Sequence, residues 1–384
     1  MNLDSEFKIE RRRFLKQSKQ LISVLPLLPP LLSIQGCNLE SSTPAYAYWQ
    51  QKEKGGFTDF QYIVMCGTLA ANAHNTQPWL FKIEQQQIHL YADRERHLGT
   101  ADADRRLMLM SIGCAIENMT IAARQLGYQI KNIMLDADAR FKKDGYCAGL
   151  ELTKATVQSD PLFDSLFLRQ TTRSEFLIEP IPNQFMENIQ SNIFQQLGLK
   201  WAGDIENRAC TIGAVQAAVR DFLNHPHMNR DVMNWFRITR DEWNTKRDGI
   251  SIFTSDAPEY IKLWVELFSF QEDLLSEEFV QAEIDFIDRV SQATLFWGLI
   301  YGNNNQKNTQ IIAGRMIERV YLHAQANGLA VHPISYPTEM PKQKAHLKKV
   351  FNLKEQEEPL FLFRLGKGVY LERSVRRDLK TVLI

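Results

Sequence analysis

"LMLMSIGCAIENMTIAARQLGYQI" (residues 107–130) and "NTQIIAGRMIERVYLHAQANGLAV" (residues 308–331) lie in opposite halves of the chain. Each reads as a glycine, about a dozen residues of helix, an alanine, then a glycine and a strand. Apolar residues recur every three or four positions in both, the spacing of a helix with a buried face. The repetition predicts a diverged internal duplication with one long helix in each half.

Elements fall into place outward from these helices. Asp102 or Asp104 can cap the first and Gly127 ends it. Before it, "FTDFQYIVMCGTLA" (57–70) has helical spacing. "LFKIE" and "QIHLYAD" (87–93) read as strands joined by a short turn at 85–86. Strands follow near 130–136 and 149–157. A second unit starts near 160 with "DPLFDSLFLRQTTRSEFLIEPIP" and continues into helices near 183–197 and 204–223. Residues 225–300 are rich in aromatics, among them Trp235, Phe236, Trp243, Trp264, Phe268, Phe270 and Trp297, and read as a helical insertion covering something. Gly328 ends the second long helix, an extended segment follows, "PLFLFRLGKG" (359–368) is a strand, and "RSVRRDLKTVLI" closes the chain. The expected class is α+β. The division is 38–56 as a linker, 57–160 as the first half, and 161–384 as the second half carrying the insertion.

The chain has 384 residues, with 45 basic and 45 acidic side chains and no net charge. Balance of this kind argues against nucleic acid as the main partner, because phosphate binding needs a basic excess. The five cysteines (37, 66, 114, 147, 210) form no CxxC pair and no zinc spacing, and the last four read as small core residues.

The N-terminus reads as a signal rather than as fold. Arg11-Arg12-Arg13-Phe14-Leu15-Lys16 fits the twin-arginine pattern R-R-x-F-L-K. An apolar run from Leu21 to Ile34 follows, broken by Pro26, Pro29 and Pro30 and too short to span a bilayer as a helix. Ile34-Gln35-Gly36-Cys37 resembles a lipobox, which makes Cys37 a lipidation candidate. Residues 1–37 are thus expected to direct export through the twin-arginine translocase to the periplasm, with a lipid on Cys37 as the membrane tether.

Known catalytic signatures are missing. There is no GxSxG and no HExxH, and Gly366-Lys367-Gly368 is neither a dinucleotide turn nor a P-loop. His225-Pro226-His227 has no third ligand nearby, so no metal site is expected. Any redox or transfer chemistry therefore points to a bound cofactor.

"AANAHNTQPW" (70–79) places His, Asn, Thr and Gln in a row before a strand, a loop suited to a flat polar partner. "NTQPWLFKI" resembles the N-x-Q-P-W-x-F motif of the flavin-dependent nitroreductase superfamily. The order of further motifs resembles its Acg subgroup, whose single chain mimics the nitroreductase dimer: D-x-x-R-x-L, G-x-x-x-x-N, R-x-T-x-R, A-G-x-x-x-E-R-V-x-L, P-x-S and a terminal R-R. The resemblance runs from about residue 60 to 384. It implies a nitroreductase-like fold, two halves around a shared antiparallel sheet, a monomer acting as a pseudo-dimer, and one FMN between the halves.

It also implies a site. Arg169, Thr171 and Arg173 match the segment that holds phosphate and ring edge. Ser374, Arg376 and Arg377 match the C-terminal basic segment that completes the phosphate site. Asn75 is expected to donate to ring or ribityl oxygens, with His74 replacing a family hydroxyl. Gln77 is open between a ligand contact and a bond to its own loop. Pro333, Ile334 and Ser335 match the segment along the flavin ring. No protein side chain is named as catalytic, since the flavin carries the chemistry. The insertion at 225–300 resembles the subgroup's lid, which leaves two functions: an exported FMN-dependent oxidoreductase passing electrons to an unknown acceptor, or a flavin-sequestering protein without turnover.

Overall fold

The computed structural model describes residues 43–135 and 145–384. The twin-arginine stretch and the lipobox with Cys37 lie outside the described residues. Among the described residues no helix is long and apolar enough to cross a membrane.

The first half runs α1 (Asp59–Thr68), β1 (Trp79–Glu84), β2 (Gln87–Ala92), α2 (Arg106–Gln125), β3 (Tyr128–Leu135) and β4 (Tyr146–Lys154). The second runs α3 (Asn183–Ser191), β5 (Leu197–Ala202), five helices, β6 (Phe296–Gly302), α9 (Lys307–Ala326), β7 (Ala330–Pro333), α10 (Pro341–Val350) and β8 (Glu358–Gly366). The five helices are α4 (Ile205–Leu223), α5 (Pro226–Met233), α6 (Arg240–Lys246), α7 (Glu259–Phe268) and α8 (Glu277–Gln292). Each half builds one antiparallel four-stranded sheet, ordered β1-β2-β4-β3 and β5-β6-β8-β7. The same order and the same place for the long helix, before the third strand, give the duplication a structural form. There are two sheets, not one shared sheet. The halves meet instead along their helices.

α2 and α9 pack on one another so closely that only glycine fits at the crossing. A Cβ on Gly113 would stand 1.9 Å from Ile311 O, and one on Gly314 would stand 1.9 Å from Met110 O. The two contacts mirror each other, as a pseudo-two-fold axis requires. Cys114 Sγ donates to Gly314 O at 3.1 Å across the same seam. Aligning Gly113 with Gly314 also aligns Glu117 with Glu318, both buried. Glu117 is held by Arg315 Nε (2.8 Å) and Arg319 Nε (2.6 Å), whose guanidiniums lie over Phe194. Glu318 has a different use, described below.

The duplication breaks at one place. β1 and β2 are joined by two residues, Gln85 and Gln86, whereas β5 and β6 are separated by the five helices. β5 falls at the end of what read as one helix near 183–197 and beyond it, and β6 falls inside the aromatic stretch 225–300. Two further readings are corrected. The supposed linker 38–56 contains helical turns at Pro44–Tyr46 and Ala47–Gln50, with Ala45, Tyr46 and Trp49 in the core. Cys210 is exposed, although Cys66, Cys114 and Cys147 are buried. His225 serves as the N-cap of α5.

Two arms cross between the halves. After β4 the chain enters the second half, where Thr172 N donates to Val331 O at 3.2 Å. After β8 it returns to the first, where Phe81 N donates to Val382 O (2.7 Å) and Ile384 N to Phe81 O (2.9 Å) along the free edge of β1.

The helix crossing yields a paired test. Gly113→Ala is expected to lower the urea midpoint by about 1–3 kcal/mol of stability through overpacking. Gly213→Ala, at an exposed position of α4 with nothing within 4 Å of the added Cβ, is expected to raise it by about 0.5–1 kcal/mol. Equal effects would contradict the seam.

Candidate functional site

A cavity of about 520 Å³ opens where α2, α9, both crossing arms and the inserted helices meet. That is within the usual range for small-molecule and cofactor sites. The cavity wall carries three guanidiniums, Arg169, Arg173 and Arg376, and four phenylalanine rings, Phe222 of α4, Phe279 and Phe286 of α8, and Phe236 between α5 and α6.

The loop at 70–78 is the hinge of the arrangement. His74, Asn75 and Gln77 all have φ near +50° (50°, 50° and 48°), a left-handed backbone that costs energy for side chains with a Cβ. Side chains from both long helices hold the loop. Ala71 N donates to Glu318 Oε2 of α9 at 2.8 Å, and Ala73 N donates to Ser111 Oγ of α2 at 3.2 Å. Asn72 Oδ1 accepts from Gln77 N at 2.9 Å.

The loop in turn grips the C-terminal arm. Asn75 Nδ2 donates to Val375 O (3.1 Å), and its Oδ1 accepts from Arg376 Nη1 (2.9 Å). The expectation that Asn75 reaches a ligand is therefore corrected: its amide is engaged in placing Arg376. Gln77 resolves toward the backbone, since Nε2 donates to Arg247 O (2.7 Å) and Oε1 accepts from Arg377 N (2.8 Å). Arg377 also lies outside the cavity wall. Its guanidinium bonds Gln77 O and Thr381 O and pairs with Asp93 at 3.4 Å. Those contacts make Gln77 and Arg377 a clasp for the arm.

The remaining expected residues line one cavity: His74, Arg169, Thr171, Arg173, Pro333, Ile334, Ser335, Ser374 and Arg376, with Asn75 at its edge. Thr171 Oγ1 lies 3.0 Å from Tyr321 OH. Burial and nearby Arg173 push the His74 imidazole down to about 4, so it is neutral at ordinary pH.

The guanidiniums decide what the cavity can hold. Arg169 and Arg376 are both buried and both donate to Leu69 O, at 2.8 and 3.0 Å. Their faces lie over Trp49. Arg169 is 3.3 Å from Glu318. Arg376 and Arg173 have no carboxylate within ion-pair distance among the described residues; Arg173 makes one hydrogen bond, to Thr254 Oγ1 at 3.1 Å. Among the described residues the buried Arg376 Nε has no hydrogen-bond partner, and Arg169 Nε, though 3.3 Å from Glu318 Oε1, makes no hydrogen bond. Burial lowers the pKa of both Arg173 and Arg376, and the neighbouring Arg169 adds to this. Three guanidiniums with a single carboxylate at ion-pair distance among the described residues is an arrangement that an anion would relieve. Guanidiniums of this kind are suited to a phosphate or carboxylate group.

Several residues in or beside the wall escaped the sequence reading. Trp49 was hidden in the supposed linker, although the aromatic run Tyr46, Tyr48 and Trp49 was a signal of burial. Glu318 and Tyr321 looked like helix pattern. Glu283 on α8 and Tyr336 after Ser335 carried no local signal, because distant elements bring them together.

No protein-family model matches the chain. Two proteins of Mycobacterium tuberculosis, strains H37Rv and CDC 1551, whose names place them provisionally among the NAD(P)H nitroreductases, are 32% identical over 78 residues. The match covers 20% of this chain and only 23% of their length. Among solved structures, a nitroreductase with bound FMN from Desulfitobacterium hafniense overlaps 59% of this chain and 98% of its own, at 8% identity and a TM-score of 0.38. A nitroreductase-like family protein from Bacillus cereus overlaps 58% and 94%, at 10% identity and 0.33.

Asn75→Ala removes one partner each from Val375 O and Arg376 Nη1. It is expected to cost about 1–3 kcal/mol and to speed amide exchange across residues 374–377 in hydrogen-exchange mass spectrometry. Unchanged exchange there would mean that the loop does not hold the arm.

Proposed function

We propose that this chain is an FMN-dependent oxidoreductase of the nitroreductase type, of the Acg-like single-chain kind, exported by the twin-arginine route and held at the periplasmic face by a lipid on Cys37. The observation that carries the cofactor is the set of three guanidiniums, Arg169, Arg173 and Arg376, facing one cavity with only Glu318 close enough to pair. The partial likeness to proteins named nitroreductases supports the same reading. The arginine-rich pattern at residues 11–16 supports the export route.

Arg173 and Arg376 would hold the phosphate, Arg169 would back them, and Thr171 with the segment Pro333–Ser335 would border the ring. When bound there, FMN supplies the electron-transfer chemistry. The chain would position it, and the α8 side chains Phe279 and Phe286 would keep water from it. Pseudo-dimer geometry lets a monomer complete this site alone, as both crossing arms contribute arginines.

The same inserted helices favour a second reading, flavin sequestration without turnover. They cover the face by which a donor would approach, and free NAD(P)H is not expected outside the cytoplasmic membrane.

Apoprotein titrated with FMN tests the site. Arg173→Ala and Arg376→Ala are each expected to weaken binding by about 2 kcal/mol, roughly 30-fold in Kd. Unchanged affinity in both would remove the phosphate assignment. Anaerobic addition of NADPH separates the two readings: bleaching of the flavin bands means an open donor path, whereas bleaching by dithionite alone means a closed lid.

A further inference from the structure

Glu283 projects from α8 into the wall of the cavity, and its Oε1 accepts from Tyr336 OH at 3.2 Å. Tyr336 directly follows the Pro333–Ser335 segment. The same wall carries Arg173, whose guanidinium makes a single hydrogen bond among the described residues. Glu283 and Arg173 feel each other electrostatically. Yet among the described residues neither has an ion-pair partner within 4 Å, so the protein holds a carboxyl and a guanidinium apart on the walls of one cavity. Such a gap is where a ligand would lie.

We propose that Glu283 takes up a proton when an anion is seated on Arg173, so that the cavity binds its anionic ligand and a proton together. This rests on the proposed FMN site and adds to it a role for the covering helices. Burial raises the Glu283 carboxyl to about 7, against the opposing pull of Tyr336 and Arg173. Below that value the carboxyl is neutral and Arg173 is free for the ligand. Above it, the carboxylate competes for Arg173 and repels an anion. A phosphate ester on Arg173 withdraws the cation that favoured the charged form and adds a like charge, so the proton returns. By linkage, the affinity then falls as pH rises through the Glu283 midpoint.

Most neighbouring groups keep their charge over this range; Glu339, also in the wall, is raised by burial to about 7 but is held in an ion pair with Arg106. His74 and His332 are pushed down by burial and nearby arginines, and so are neutral. Tyr321 is pushed up to about 12, and Tyr336 is raised further by burial and Glu283. Arg289, on the same helix, is paired with Glu175 (2.8 Å) and Asp256 (3.4 Å).

The test is the FMN dissociation constant of wild type, Glu283→Gln and Glu283→Asp from about pH 7 to about pH 9, where the FMN phosphate is already dianionic. Calorimetry in two buffers of different ionisation heat counts the protons. Wild type is expected to weaken by roughly tenfold per pH unit above the midpoint and to take up close to one proton. Glu283→Asp should keep a slope. Glu283→Gln should be flat, bind as tightly as wild type at the low end, and take up none. A flat wild-type profile, or the same slope in Glu283→Gln, overturns the proton role and leaves the FMN site standing. No FMN binding by wild type at any pH overturns both.

Discussion

The contact between α2 and α9 at Gly113 and Gly314 governs the rest of the structure. Backbone touches backbone there, with each glycine against the other helix's carbonyl. That approach sets the relation between the two sheets and brings the functional ends of both helices to one place. Ser111 from α2 and Glu318 from α9 can then hold the same loop, at Ala73 N and Ala71 N. A side chain at the crossing would part the helices, and the loop would lose one anchor or the other.

Symmetry makes the framework, and its breaking makes the site. Glu117 and Glu318 occupy equivalent positions. Glu117 meets two arginines of α9 and closes its side over Phe194. Glu318 meets a loop amide and a single arginine, Arg169. The first is neutralised within the protein. The second lies beside a cluster with two further guanidiniums that have no carboxylate at ion-pair distance among the described residues, an electrostatic condition that favours an anion. The tight turn at 85–86 in one half and five helices in the other place the covering elements on the same side as that cluster.

The sequence carried the long helices, the hairpin and the duplication because apolar spacing and terminal glycines are local signals. It carried most of the cavity wall through matched motifs: His74, Arg169, Thr171, Arg173, Pro333, Ser335, Ser374 and Arg376 do face one space. The illegible parts are non-local. Asn75 and Gln77 look like ligand-binding groups until the C-terminal arm is seen lying against them. β5 has a mixed burial pattern that gives no clean alternation. Trp49 needs the arginines of both arms to show why it is buried, and Glu283 and Tyr336 meet only after the lid has folded over.

The proposal that a phosphorylated flat ring occupies the cavity rests on its arginines, its aromatic rings and the covering helices. The most direct measurement is the visible absorption spectrum of the chain without residues 1–37, as purified. Oxidised-flavin bands, with one flavin per chain and a released cofactor that behaves as FMN, are the expected result. Colourless protein that takes up no FMN on reconstitution would contradict the account at its centre.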